Sequence, residues 1–159
     1  MPATTTKYLG IYLNDHLAGS TGALELVKRA AGEHDGPLGT FVAQLRDEIA
    51  ADRHVLEGLM DELGVTPDKA KVAVAWAGEK AGRLKPNGEV RGRSPLTPLI
   101  ELESLSLGIE GKRLMWLALA EVEDLPLSRE RLAELVARAE AQREGVEVHR
   151  REAARRALG

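Results

Sequence analysis

The sequence predicts an all-α protein, and three observations carry that expectation. Proline, glycine and capping residues cut the chain into long segments, and apolar residues inside those segments recur at steps of three and four. No run alternates apolar and polar side chains with the period of two that a half-buried strand requires. At 159 residues the chain is long enough for one domain with a substantial core and short for two, so residues 1–159 are read as a single helical domain.

The first helix is expected from about Thr5 to Ala31, with Gly32 placed as a C-terminal glycine. Asp35-Gly36-Pro37 restarts the chain with proline in the first helical turn, and the second helix stops at Leu63-Gly64. Thr66-Pro67 reads as an N-cap followed by a first-turn proline, opening a third helix that runs to about Leu84 and is halted by Pro86. Lys85 to Arg93, centred on Asn87-Gly88, reads as a turn-rich loop. Ser94-Pro95 or Thr97-Pro98 opens a fourth helix lasting to Asp124, and Ser128 caps a fifth segment reaching Leu158, with a weak point at Gly145. Four long helices joined mainly by short connections predict an antiparallel four-helix bundle over about residues 5–124, with an additional C-terminal helix over about 128–158.

Composition removes several function classes. A net charge of −3 gives the whole molecule no basic field for nucleic acid, and 3% aromatic residues leave few platforms for base stacking. There is no cysteine, hence no disulfide, thiolate metal site or cysteine nucleophile. The N-terminus lacks a basic segment leading into an apolar run, and no stretch approaches the roughly 18 uninterrupted apolar residues of a membrane span. A cytoplasmic protein with no membrane or nucleic-acid partner is the expectation. The basic loop residues Lys85, Arg91 and Arg93 read as a solvated surface, and Gly111-Lys112 lacks the glycine spacing and the following Ser or Thr of a phosphate-binding loop. Near the C-terminus Arg150, Arg151, Arg155 and Arg156 are balanced by Glu140, Glu144, Glu147 and Glu152, and cations are favoured at a helix C-terminus. A homodimer formed along this long helix is a further use for it.

The informative departures are charged residues in apolar slots. On the second helix the inward series runs Leu38, Val42, Leu45, Ile49, Asp52, Leu56, Leu59, Leu63, with Glu48 beside Asp52 on the same face. On the fourth the series is read as Leu99, Glu103, Ser106, Glu110, Arg113, Leu117. On the first, His16 falls within the arc of Leu9, Tyr12, Leu13, Leu17, Ala23, Leu24, Val27 and Ala30, with Asp15 at its edge and Gly19, Gly22 and Ala23 thinning the wall. On the third, the series Val72, Trp76 brings Glu79 inward. His54 points away and reads as a surface residue. An inward carboxylate costs several kcal/mol unless it meets a cation, a metal or hydrogen-bond donors. His16, Glu48, Asp52, Glu79, Glu103 and Glu110 are therefore the candidate metal ligands, and Arg113 the candidate buried cation.

This pattern resembles the ferritin-like superfamily, whose di-iron members place a Glu on two helices and Glu-x-x-His on the other two. The resemblance is architectural over roughly residues 5–124, with partial correspondence of residues. Glu79 matches a single carboxylate, but Glu48-Ile49-Ala50-Ala51 carries alanine in the histidine slot and Glu110-Gly111-Lys112-Arg113 carries arginine there. The first helix offers Asp15 or His16 in place of glutamate. The resemblance implies a degenerate site turned into a salt-bridge network, in a non-catalytic interaction or stress-related protein needing no cofactor. The alternative is an iron- or manganese-binding oxidoreductase or metal-handling protein that uses the same inward residues.

Overall fold

A computed structural model describes residues 3–82 and 94–159, with side chains for 7–78 and 94–159. Among these residues the protein is all-helical, with α1 (Ala3–Glu33), α2 (Gly36–Glu62), α3 (Lys69–Gly82), α4 (Leu96–Ala120) and α5 (Arg129–Leu158). The expected loop around Asn87-Gly88, its three basic residues, Pro86 and the side chain of Glu79, expected to point inward, lie outside the described residues.

The punctuation operates largely as its chemistry dictates. Gly36 and Gly64 adopt φ of +63° and +66°, the left-handed backbone that lets α2 start after and stop before a sharp turn. The Ser128 hydroxyl accepts the Arg131 amide at 3.1 Å, satisfying an otherwise unpaired donor at the start of α5. At α3 the cap is Asp68, not Thr66: its carboxylate accepts the amides of Ala70 at 3.0 Å and Lys71 at 3.1 Å. A carboxylate there also complements the positive end of the helix. The amide of Asp68 in turn donates to Asn14 Oδ1 at 2.6 Å, which ties α3 back to α1. Among the alternatives for α4, Ser94 is the start, its hydroxyl accepting the Leu96 amide at 3.2 Å.

α1 packs against α2, α3 and α4, α4 packs along α5, and α2 touches α5. Ion pairs Glu103–Arg150, Glu110–Arg143 and Arg113–Glu140 run in opposite order along α4 and α5, so these helices are antiparallel. The contacts give α3 and α5 roles other than those expected. α3 touches only α1 among the described residues, whereas α5 carries Leu132, Leu135, Ala139, Gln142, Val146 and Ala153 into the interior. These residues alternate steps of three and four up to Val146 and recur one heptad later at Ala153, while the alanine-rich α3 leaves Val74 and Trp76 substantially exposed. Gly145 does not break α5. A Cβ there would stand 2.6 Å from Phe41 Cε2, so the missing side chain is what admits the Phe41 ring.

The core divides into two apolar clusters. One gathers Val27, Val42, Leu45, Ile49, Leu102, Leu105, Ile109 and Val146; the other gathers Leu13, Leu17, Leu56, Leu59, Met60, Met115, Trp116, Leu132 and Leu135. Burying each large aliphatic side chain is worth about 1.5–3 kcal/mol, so these clusters hold the helices together. On α2 the residue between Ile49 and Leu56 is Asp52, on α4 the residue between Ile109 and Trp116 is Lys112, and on α5 the residue between Ala139 and Val146 is Gln142. A polar layer therefore separates the clusters.

Candidate functional site

Each member of that layer sits where the helical period places a core residue. Asp52 is 1% exposed and Gln142 3%. The Lys112 ammonium donates to Asp52 Oδ2 and, at 2.6 Å, to Gln142 Oε1. The Arg138 guanidinium donates to the other carboxylate oxygen, Asp52 Oδ1. The Gln142 amide donates to Glu48 Oε2 at 3.0 Å and to Asp52 Oδ2 at 3.3 Å, while Gln44 donates to Glu48 Oε1 at 2.8 Å. Two carboxylates thus face two cations, and the interior carboxylate is balanced by side chains of this chain. Burial pushes the Lys112 ammonium below the ordinary lysine value, and the Asp52 carboxylate offsets part of that shift.

His16 and Asp15 do not join this layer. His16 is half-buried with its ring edge-on to Tyr12, centroids 4.6 Å apart. Desolvation holds its pKa below 6.5, with the Asp15 charge acting in the opposite direction. Asp15 is exposed and accepts Lys71 Nζ at 2.6 Å. Glu48 and Asp52 do come together, as the sequence suggests. His54 lies at the surface, also as read.

The buried face of α4 is not the one its sequence pattern predicts. Glu103 is exposed and pairs with Arg150 at 3.5 Å. Glu110 is half-buried on the flank, where Arg113 grips it through two bonds of 2.9 Å and Arg143 adds a third at 2.8 Å. These contacts, Arg113 foremost, hold its carboxyl below the ordinary glutamate value. Arg113 is only partly buried and also reaches the exposed Glu140, so it is not the interior cation; Lys112 is. The physical cause is that α4 is apolar nearly all round. Its buried series is Leu102, Leu105, Ile109, Trp116 and Leu119, while Ile100, Leu107, Leu114 and Leu117 face outward. Leucines on every side erase the period that fixes which face is inside.

Among the described residues, no group of three or more His, Cys, Asp or Glu side chains is placed to hold a metal ion. The proposed ligand set is accordingly dispersed: His16 on the Tyr12 side, Glu48 and Asp52 in the layer, Glu103 and Glu110 on the flank.

Two other polar clusters have no local sequence signature. Glu101 is buried near the start of α4, where it meets His34 Nε2 at 3.0 Å and Arg29 Nε at 3.4 Å. This pins the α1–α2 turn to α4. Arg53 donates to Ser20 Oγ at 2.8 Å, Thr21 Oγ1 at 2.6 Å and Glu57 Oε1 at 2.9 Å, joining α2 to α1.

Beside the layer, between α1, α2 and α4, lies a cavity of about 210 Å³. Lys112 and Asp52 line it on one side, with His16, Ile109, Met115 and Trp116 among its other walls. Gly19 and Gly111 also line it, and a Cβ at either would meet nothing within 4 Å.

No family model, curated protein or solved structure matches the chain.

Proposed function

We propose that this protein is a non-catalytic, ferritin-like four-helix bundle of α1, α2, α4 and α5 that acts through protein–protein interaction, its metal level replaced by an internal ion-pair layer. The observation that carries this reading is Asp52, 1% exposed and with both oxygens taken by Lys112 and Arg138. A di-metal site needs carboxylates free to ligate and room for dioxygen. A divalent ion here would have to displace a buried ammonium and then share a low-dielectric interior with it. Two cations against two carboxylates already close the local charge balance.

Interaction finds support on the outer face of α4. Ile100, Leu107 and Leu114 are 41%, 76% and 50% exposed and stand seven residues apart, so they form one apolar stripe. A two-fold axis through Leu107 would set Ile100 of one copy against Leu114 of the other, which makes the stripe self-complementary and supports a homodimer.

Metal analysis of protein purified without chelator or nickel resin tests the first half of this reading. The expected content is well below one iron, manganese or zinc per chain. A stoichiometric metal that disappears in Glu48→Ala would overturn it in favour of metal handling. For the second half, light scattering should find a dimer in the parent and a monomer in Leu107→Glu. A parent that is monomeric at high micromolar concentration would refute the dimer.

A further inference from the structure

We infer that the cavity beside the ion-pair layer is a binding site for a small neutral molecule, a single-ring apolar body carrying one carbonyl-type acceptor. Size is the first argument. An apolar cavity of roughly 150 Å³ is enough to take up benzene, so the 210 Å³ found here suits a ring with a short substituent. Its walls include Ile49, Leu56, Ile109 and Met115, which favour an apolar body.

Unused donors are the second argument. Trp116 lines the cavity and is wholly buried, yet among the described residues its indole N–H has no hydrogen-bond partner. A buried donor left unmade is costly, and such groups in folded proteins nearly always find a partner. Lys112 lines the same cavity and has three N–H bonds, of which Asp52 and Gln142 take two. Both groups can only donate, so the missing partner must be an acceptor.

Charge decides the rest. Glu48 and Asp52 already balance Lys112 and Arg138, Arg53 is paired with Glu57, and Asp15 with Lys71. An anion would bring an uncompensated charge into a site with low-dielectric walls. A neutral acceptor satisfies the donors without that penalty. This inference rests on the ion-pair layer proposed above, in which Lys112 is paired with Asp52; metal analysis reads that layer and ligand titration reads the cavity, so the two can fail separately.

Three probes of similar size separate the possibilities by titration calorimetry: acetophenone, ethylbenzene and benzoate. Acetophenone should bind below 1 mM, with ethylbenzene and benzoate each at least about tenfold weaker, the factor that one lost hydrogen bond or one unbalanced charge is worth. Trp116→Phe keeps the ring and removes the donor, so it should weaken acetophenone about tenfold and leave ethylbenzene unchanged. Gly111→Leu, placed where a side chain meets open space, should abolish binding of all three while the helical content stays that of the parent. Equal affinity for acetophenone and ethylbenzene would overturn the acceptor requirement, and preference for benzoate would overturn neutrality. No binding of any probe by the folded parent would overturn the site itself.

Discussion

Removing the Lys112 charge while keeping its stem is the perturbation that most cleanly separates an interior cation from a flanking one. Lys112→Met preserves the aliphatic length but leaves Asp52, 1% exposed, with Arg138 as its remaining cation beside the Gln142 amide, and leaves Gln142 Oε1 without its Lys112 donor. Breaking a buried pair from one side costs about 3–5 kcal/mol. Arg138, whose side chain is 31% exposed, stays on Asp52 and brings the expectation to the lower end, about 3 kcal/mol. For a domain of this size that corresponds to roughly 6–12 °C in melting temperature. The companion is Arg113→Leu. Its side chain is 21% exposed, Glu110 is 30% exposed, and Arg143 remains within 2.8 Å of Glu110, so the expected cost is below about 1 kcal/mol. Both follow from urea unfolding monitored by circular dichroism. A cost for Arg113→Leu equal to or above that for Lys112→Met would refute the placement of the interior cation.

Gly145→Ala should destabilise by about 1–3 kcal/mol although alanine is the better helix former, because its Cβ would stand 2.6 Å from Phe41 Cε2; a stabilised variant would show that the ring moves aside freely. Acid should weaken the fold through two histidines. His16 and His149 are both held below 6.5 by burial, so between their folded values and 6.5 the unfolded chain binds more protons and stability rises with pH. That contribution is complete above 6.5 and is lost as pH falls. Urea midpoints at pH 7 and at about pH 5.5 should therefore differ less in the double variant His16→Gln/His149→Gln than in the parent, and an unchanged difference would exclude these rings as the source.

How much of this was legible in the sequence varies helix by helix. On α2 the spacing Val42, Leu45, Ile49, Asp52, Leu56, Leu59 is unambiguous because the opposite face is polar, and Asp52 was readable as the odd residue in an apolar series. The same spacing on α5 reveals Gln142 to anyone who extends it through Val146 and Ala153, but the dense Arg and Glu content of that helix suggests a solvated appendage. α4 could not be phased, since leucines at 102, 105, 107, 114, 117 and 119 surround it. The series Leu99, Glu103, Ser106, Glu110, Arg113 therefore points to Arg113 as the inward cation, whereas the structure places its neighbour Lys112 inside. Glu101 and His34 meet across a sequence separation of 67 residues, and no local pattern announces such a contact.

The claim that Asp52 is held by Lys112 in place of a metal is tested most directly by a double-mutant cycle between them. Lys112→Met leaves a buried carboxylate short of a partner, and Asp52→Leu leaves a buried ammonium short of one. The pair of changes together substitutes one apolar contact for one ion pair, which in buried settings is often neutral or stabilising. The account predicts that Asp52→Leu/Lys112→Met is more stable than either single variant, with a coupling of about 1–3 kcal/mol from urea unfolding. Costs that simply add, to within about 0.5 kcal/mol, would mean that the two side chains do not depend on one another and would contradict it.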